Sequence, residues 1–148
     1  LSCRSSYIQS GNIVLRGPDR PPGAKVAKII RDRFGFEPEL VALTEEQLAA
    51  AAARNPYPHA REGKHVHFFF MPAPPTIIDS GVLDAVRGPT EECQVKEAVF
   101  YLHAPDGVGR SKLVASLAKI LPGALVTGRN LNTVAKLQQM VALARQRK

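Results

Sequence analysis

A displacement of 87 residues lays one half of the chain over the other, placing Val26 on Leu113, Ile30 on Leu117, Phe34 on Leu121 and Thr44 on Leu131. A fixed internal spacing of this kind restricts a chain to architectures that repeat one supersecondary unit. The content of the unit follows from local patterning. Tyr7 to Gln9 and Asn12 to Leu15 are β-prone runs around Ser10-Gly11, predicting a hairpin or a sharply bent strand. Val26, Ile29, Ile30 and Phe34 recur at helical spacing with Lys25, Lys28, Arg31 and Asp32 facing away, predicting an amphipathic helix that stops near Gly35. Leu40 to Leu43 reads as a strand, and Thr44 with Gln47 forms a capping box that opens an Ala-rich helix ending before Asn55-Pro56.

Pro56, Pro58 and Gly63 mark a linker, and Lys64 to Met71 behind it is the strongest strand signal in the chain. Thr76 is a candidate cap for a helix through Val86, followed by strands at Gln94-Val95 and Ala98 to His103. Leu113, Val114, Leu117, Ile120 and Leu121 make one helical face closed by Pro122-Gly123; Ala124 to Thr127 is a short strand. Val134, Leu137, Val141 and Ala144 then define a last helix. The second half is therefore β-α-β-β-α-β-α, and the first is β-β-α-β-α. The expected fold is α+β, with two ferredoxin-like subdomains arising from an internal duplication. Residues 1–56 would form a partial copy lacking its opening strand and helix, and residues 57–148 a full copy with a trailing helix. A missing N-terminal segment is part of this expectation.

Charge narrows the partners. Residues 1–106 carry 12 Lys and Arg against 13 Asp and Glu, whereas residues 107–148 carry eight basic residues and no acid. Such one-sided charge attracts anions, either nucleic acid or a phosphate-bearing small ligand. The aromatic fraction is only 6% with no Trp, which provides poorly for base stacking. Cys3 and Cys93 form no CxxC pair, and His65 and His67 have no acid or thiol at ligand spacing, so neither a metal nor another cofactor is expected. No apolar run approaches the roughly 20 residues of a membrane span, so a cytoplasmic protein with no membrane partner is expected. A homodimer through an uncovered sheet edge is a further expectation.

Three stretches carry a likeness: Tyr7-Ile8-Gln9-Ser10-Gly11-Asn12, then Tyr101-Leu102-His103-Ala104-Pro105-Asp106-Gly107-Val108-Gly109-Arg110-Ser111-Lys112-Leu113, then Arg129-Asn130-Leu131-Asn132-Thr133-Val134. They resemble the signature blocks of the bacterial domain of unknown function family 1697. The family's opening "LLRGINVGG" block has no counterpart here, and the family commonly has Trp in place of Leu131 and Thr in place of Gly128. The resemblance implies the duplicated α/β fold and no particular activity.

Two strand-to-helix junctions are the expected ligand sites. Gly107, Gly109, Arg110, Ser111 and Lys112 combine close backbone approach with cations at a helix start, either to hold an anion or as a turn with Ser111 as cap. Ala104 and Arg110 break the Walker pattern, and Lys112 breaks the dinucleotide fingerprint. Arg129, Asn130, Asn132, Thr133 and Lys136 make a second donor-rich junction, with Asn130 or Asn132 able to serve as cap instead. Gln9, Ser10 and Asn12 are secondary candidates, suited to a turn or to ligand contact. The leading expectation is a module binding a phosphate-bearing ligand or nucleic acid. The alternative is a small-molecule enzyme acting on a phosphorylated metabolite, with His103 or Tyr101 as the titrating group.

Overall fold

The structure, a computed structural model, describes residues 2–7, 12–16, 23–36 and 40–146. Contacts divide it into one unit of Leu1–Ala53 with Thr133–Lys148 and another of Arg54–Asn132. The last helix, which the sequence reading attached to the second half, thus groups with the first from Thr133 onward. The fold is α+β.

In the first unit β1 (Ser2–Tyr7) pairs antiparallel with β2 (Asn12–Arg16), with an irregularity between Cys3 and Ser5. The turn between them, with Gln9 and Ser10, lies outside the described residues. Helix α1 (Gly23–Phe34) ends as its spacing predicts: Gly35 takes φ +78°, a conformation open to glycine at no steric cost, and its N–H bonds Arg31 O at 2.9 Å. Helix α2 (Glu45–Ala53) opens on the expected capping box, the Gln47 N–H donating to Thr44 Oγ1 at 3.1 Å and the Thr44 N–H to Gln47 Oε1 at 2.9 Å. The strand expected at Leu40 to Leu43 is absent: residues 40–44 are irregular, because among the described residues β1 and β2 pair only with each other and no third strand offers a ladder. Helix α6 (Leu131–Gln146) closes the chain, and its Met140 and Ala144 bury against Val14 of β2.

The second unit is built on four strands: β3 (Val66–Phe70), β4 (Glu92–Lys96), β5 (Val99–His103) and β6 (Thr127–Asn130). All neighbours are antiparallel in the order β4-β5-β3-β6. Helix α3 (Ser80–Val86) joins β3 to β4, and two short helices, α4 (Lys112–Ala115) and α5 (Leu117–Ile120), join β5 to β6. One sheet face carries Phe69, Met71, Phe100, Leu102 and Ala104 against Leu113, Leu117, Ile120 and Leu121. The other carries Val66, Phe68, Phe70, Val99 and Tyr101, which are also buried. Burial on both faces explains why β3 and β5 read as nearly continuous apolar runs with no alternation.

Three boundaries differ from the sequence expectation. The helix expected from Thr76 begins at Ser80, since the Asp79 carboxylate accepts from the Val82 N–H at 3.0 Å and the Asp79 N–H is itself held by Ile120 O at 2.8 Å. The helix expected through Leu121 breaks at Ser116, where bonds three residues apart, from Ser116 N to Leu113 O and Lys119 N to Ser116 O, tighten the turn. The strand expected at Ala124 to Thr127 runs from Thr127 to Asn130 instead, through polar Thr-Gly-Arg-Asn. An edge strand has one partner and needs little apolar character, and Gly128 makes room for the Phe69 ring opposite it.

The β4–β5 turn places Glu97 at φ +52°, a left-handed conformation that costs a side-chain-bearing residue about 1 kcal/mol. Glu97 is exposed, so Glu97→Gly removes only that strain. The expected result is a gain of roughly 0.5–1 kcal/mol in a urea titration.

Candidate functional site

Val66 pairs with His103 and His67 with Asn130, so β5 and β6 both end where β3 begins. The two strand-to-helix junctions therefore leave the same end of one sheet, on either side of β3 and about 10 Å apart, which is two strand spacings. Between them stands the 3₁₀ turn Gly63–His65 that feeds β3. Gly63 is close to Asn132: a Cβ there would collide with the Asn132 side-chain oxygen.

An open pocket of about 400 Å³ lies at this end, lined by His59, Ala60, Arg61, Glu62, His65, His103 and Pro105. The local sequence explains its shape. The Asn55 side chain accepts from the Tyr57 N–H at 2.9 Å, the Ala60 N–H returns to Tyr57 O at 3.2 Å, and the His65 N–H bonds Glu62 O at 3.1 Å, so residues 55–65 form consecutive tight turns. Lys96 Nζ donates to Arg54 O at 3.2 Å at the start of that run. Ala104 N–H donates to His65 O at 2.9 Å, extending the β3–β5 ladder by one bond past His103.

Each of two imidazoles in the pocket faces a carboxylate. His103 Nδ1 is 3.6 Å from Glu92 Oε1, its cross-strand partner, and His65 Nδ1 is 3.7 Å from Glu62 Oε2. Glu62 also receives Lys64 Nζ at 3.2 Å. Tyr57 lies beside His103 with ring centroids 5.6 Å apart, and burial pushes its phenol far above its ordinary pKa, with the charges of Cys93 and Glu92 adding to the rise. Tyr57 therefore stays neutral.

The residues singled out from the sequence fall into distinct roles. Gly107 takes φ +88°, Gly109 faces open space, and Arg110 and Lys112 are exposed. Ser111 caps α4, accepting from the Val114 N–H at 3.2 Å, and donates its hydroxyl proton to Glu91 Oε2 at 2.6 Å. Asp106 accepts from Thr90 Oγ1 at 2.6 Å, so two side-chain bonds tie this loop to the one before β4. Arg129 is half-buried, donates to Gly128 O at 2.7 Å, and has its pKa drawn down by that burial. Asn130 pairs across the ladder with His67, Thr133 is half-buried, and Lys136 is exposed; Thr133 and Lys136 belong to the other unit. Asn12 lies in β2, also in that other unit. Of the two titrating candidates, His103 lines the pocket. Tyr101 is wholly buried on the sheet face opposite the helices, edge-on to Phe68 at 4.7 Å, with its phenol raised by burial. No local motif marks His59 and Arg61, which lie in the connection between Pro56 and Gly63.

The family model described as "Protein of unknown function (DUF1697)" matches residues 3–101. The chain belongs to the DUF1697 family. The match takes in the first signature block and ends at Tyr101, the first residue of the second; the block from Arg129 lies wholly beyond the matched residues. No curated protein matches this DUF1697 chain. A solved structure of a conserved bacterial protein from Streptococcus pneumoniae is similar in fold, with a TM-score of 0.57 at 20% identity over 93% of this chain and 79% of that one. Among the described residues no helix is long and apolar enough to cross a membrane, and no three metal-ligating side chains converge.

His67 stands one residue into β3 from the pocket. Its Nδ1 is buried without a hydrogen-bond partner, and its ring stacks on Phe69 at 6.1 Å. Burial, with a smaller push from His65, lowers its pKa from the ordinary 6.5, against a backbone hydrogen bond that opposes the shift. The unfolded chain thus binds a proton that the folded ring refuses, so stability is full above about pH 6.5 and declines as the pH falls through the depressed folded value. Urea midpoints should drop between pH 7.5 and pH 5, and His67→Phe should remove the part of that drop due to His67. A variant with an unaltered acid-side slope would show that another group is responsible.

Proposed function

We propose that the pocket at the end of the second unit's sheet binds a small phosphate-bearing anion. The observation that carries this reading is the lining: one guanidinium and three imidazoles share about 400 Å³, a volume within the ordinary range for small-molecule sites. Arg61 offers a planar fork suited to phosphate oxygens, and His59, His65 and His103 supply ring N–H donors. The loop from Gly107 to Lys112 fits this reading as a source of attraction. Arg110 and Lys112 are exposed there, while Glu91 occupies the neighbourhood of the Ser111 cap and leaves little room for a second anion. A small ligand is favoured over nucleic acid because the chain is only 6% aromatic with no Trp, which provides poorly for base stacking.

The same reading includes a ferredoxin-like duplication. β4-β5-β3-β6 is the strand order of a β-α-β-β-α-β unit, and β2 and β5 stand 87 residues apart, as do residues 40–43 and β6. A cytoplasmic setting accords with the free thiol of Cys93, half-buried and raised in pKa by that burial.

Titration with inorganic phosphate near pH 6, followed through the histidine ring resonances, tests the binding. Phosphate should move the signals of His59, His65 and His103, and Arg61→Ala should weaken binding about tenfold, the loss of one charge-assisted contact. Unmoved resonances would remove the reading.

A further inference from the structure

The pocket holds more than an anion cradle needs. An anion is held by Arg61 alone or with one charged imidazole, yet two half-buried imidazoles face the same space and each has its own carboxylate at Nδ1, Glu92 at 3.6 Å and Glu62 at 3.7 Å. A carboxylate at Nδ1 favours the tautomer whose Nε2 is free to take a proton and stabilises the ring once it has done so. Two such rings about one site supply both halves of acid–base catalysis, provided one starts neutral and the other protonated.

Charge selects the substrate class. The fixed charges that line the pocket or pair with its lining groups are Arg61 and Lys64 against Glu62 and Glu92, and the imidazolium that a proton-donating acid requires adds one positive charge, for a net of one. A phosphodiester carries one negative charge and matches it. A phosphomonoester dianion brings a second charge toward Glu62 and Glu92 with no cation to meet it.

We infer that this pocket cleaves a phosphodiester, with His65 and His103 as the paired acid and base and Arg61 on the non-bridging oxygens. The inference rests on the anion-binding reading above. In the step, the neutral imidazole takes a proton from water as the water oxygen bonds to phosphorus. The bond from phosphorus to the leaving ester oxygen breaks with its electron pair on oxygen, and that oxygen receives the proton of the other imidazolium. The products are a phosphomonoester and an alcohol. The two rings have exchanged protonation states, and proton exchange with solvent restores them.

Two esters test the assignment on the intact chain. Bis(4-nitrophenyl) phosphate releases a stable phenolate and needs no acid; thymidylyl-thymidine releases an aliphatic oxygen and does. Wild type should cleave both. His65→Gln and His103→Gln should each slow the dinucleotide at least about 100-fold, one of them slowing the aryl ester equally and thereby marking the base, the other sparing it and marking the acid. Thermal melts confirm that both variants fold. Failure to cleave either ester, or variants that cleave both at the wild-type rate, overturns the catalytic inference. If phosphate still moves the histidine resonances in that case, the binding reading stands alone; if it does not, both fall together.

Discussion

Phe68→Ala should lower the unfolding free energy by about 3–5 kcal/mol, the usual cost of emptying an aromatic core position. Phe68 has no exposed surface, sits at the middle of β3, and meets Tyr101 edge-on at 4.7 Å and Phe70 at 5.9 Å. Deleting the ring forfeits its transfer free energy and strands two aromatic partners around a void. Because β3 pairs with both β5 and β6, the loss should spread through three strands and be read as a lower urea midpoint. A change below 1 kcal/mol would mean that Phe68 does not anchor the sheet.

Gly128→Val should cost about 3 kcal/mol by the opposite means. A Cβ at Gly128 would stand 2.6 Å from Phe69 Cε1 and 2.8 Å from Cδ1. The obstacle is a ring held in the core beside Met71 and Phe100, with no flexible end to swing away, so the change forces Phe69 from its rotamer or β6 from its register. Phe69→Ala in the same chain should recover part of the loss, since the space the valine needs is then free. A double-mutant cycle reads this coupling directly, and additive effects would argue against the clash.

Where the fold follows from local chemistry, the sequence announced it. The capping box at Thr44 and Gln47, the glycine stop at Gly35 and the aromatic run of β3 each depend on residues within one turn of one another, and each stands as expected. Where tertiary context decides, it did not. Leu40 to Leu43 has the composition of a strand and no described neighbour to pair with, while Thr127 to Asn130 lacks that composition and pairs because β3 lies beside it. The α4–α5 break at Ser116 is equally invisible to an apolar spacing that continues unbroken across it. The candidate site was half visible. The sequence marks His103 as a titrating candidate, but its glycines and cations point to the helix starts, where Ser111 serves as a cap. His59 and Arg61 come from a proline-marked connection and His65 from the start of the run expected as a strand, and only the register Val66 to His103 brings them to the end of β5. A usable signal existed in the pairing of β3 with β5, because antiparallel alignment of these two runs sets the residue before the first beside the last residue of the second.

The separation of ladder from lining has an evolutionary corollary. His103 apart, every residue around the cavity lies outside the paired strands, and the aromatic centre of the sheet sits one or more residues inward from it. On the anion-binding reading proposed above, substitutions at positions 59 to 62 and at 105 alter what is recognised while leaving the interstrand bonds intact. Selection can retool such a rim repeatedly on one unchanged chassis, so homologues sharing this framework are free to diverge in ligand without first acquiring stabilising compensations.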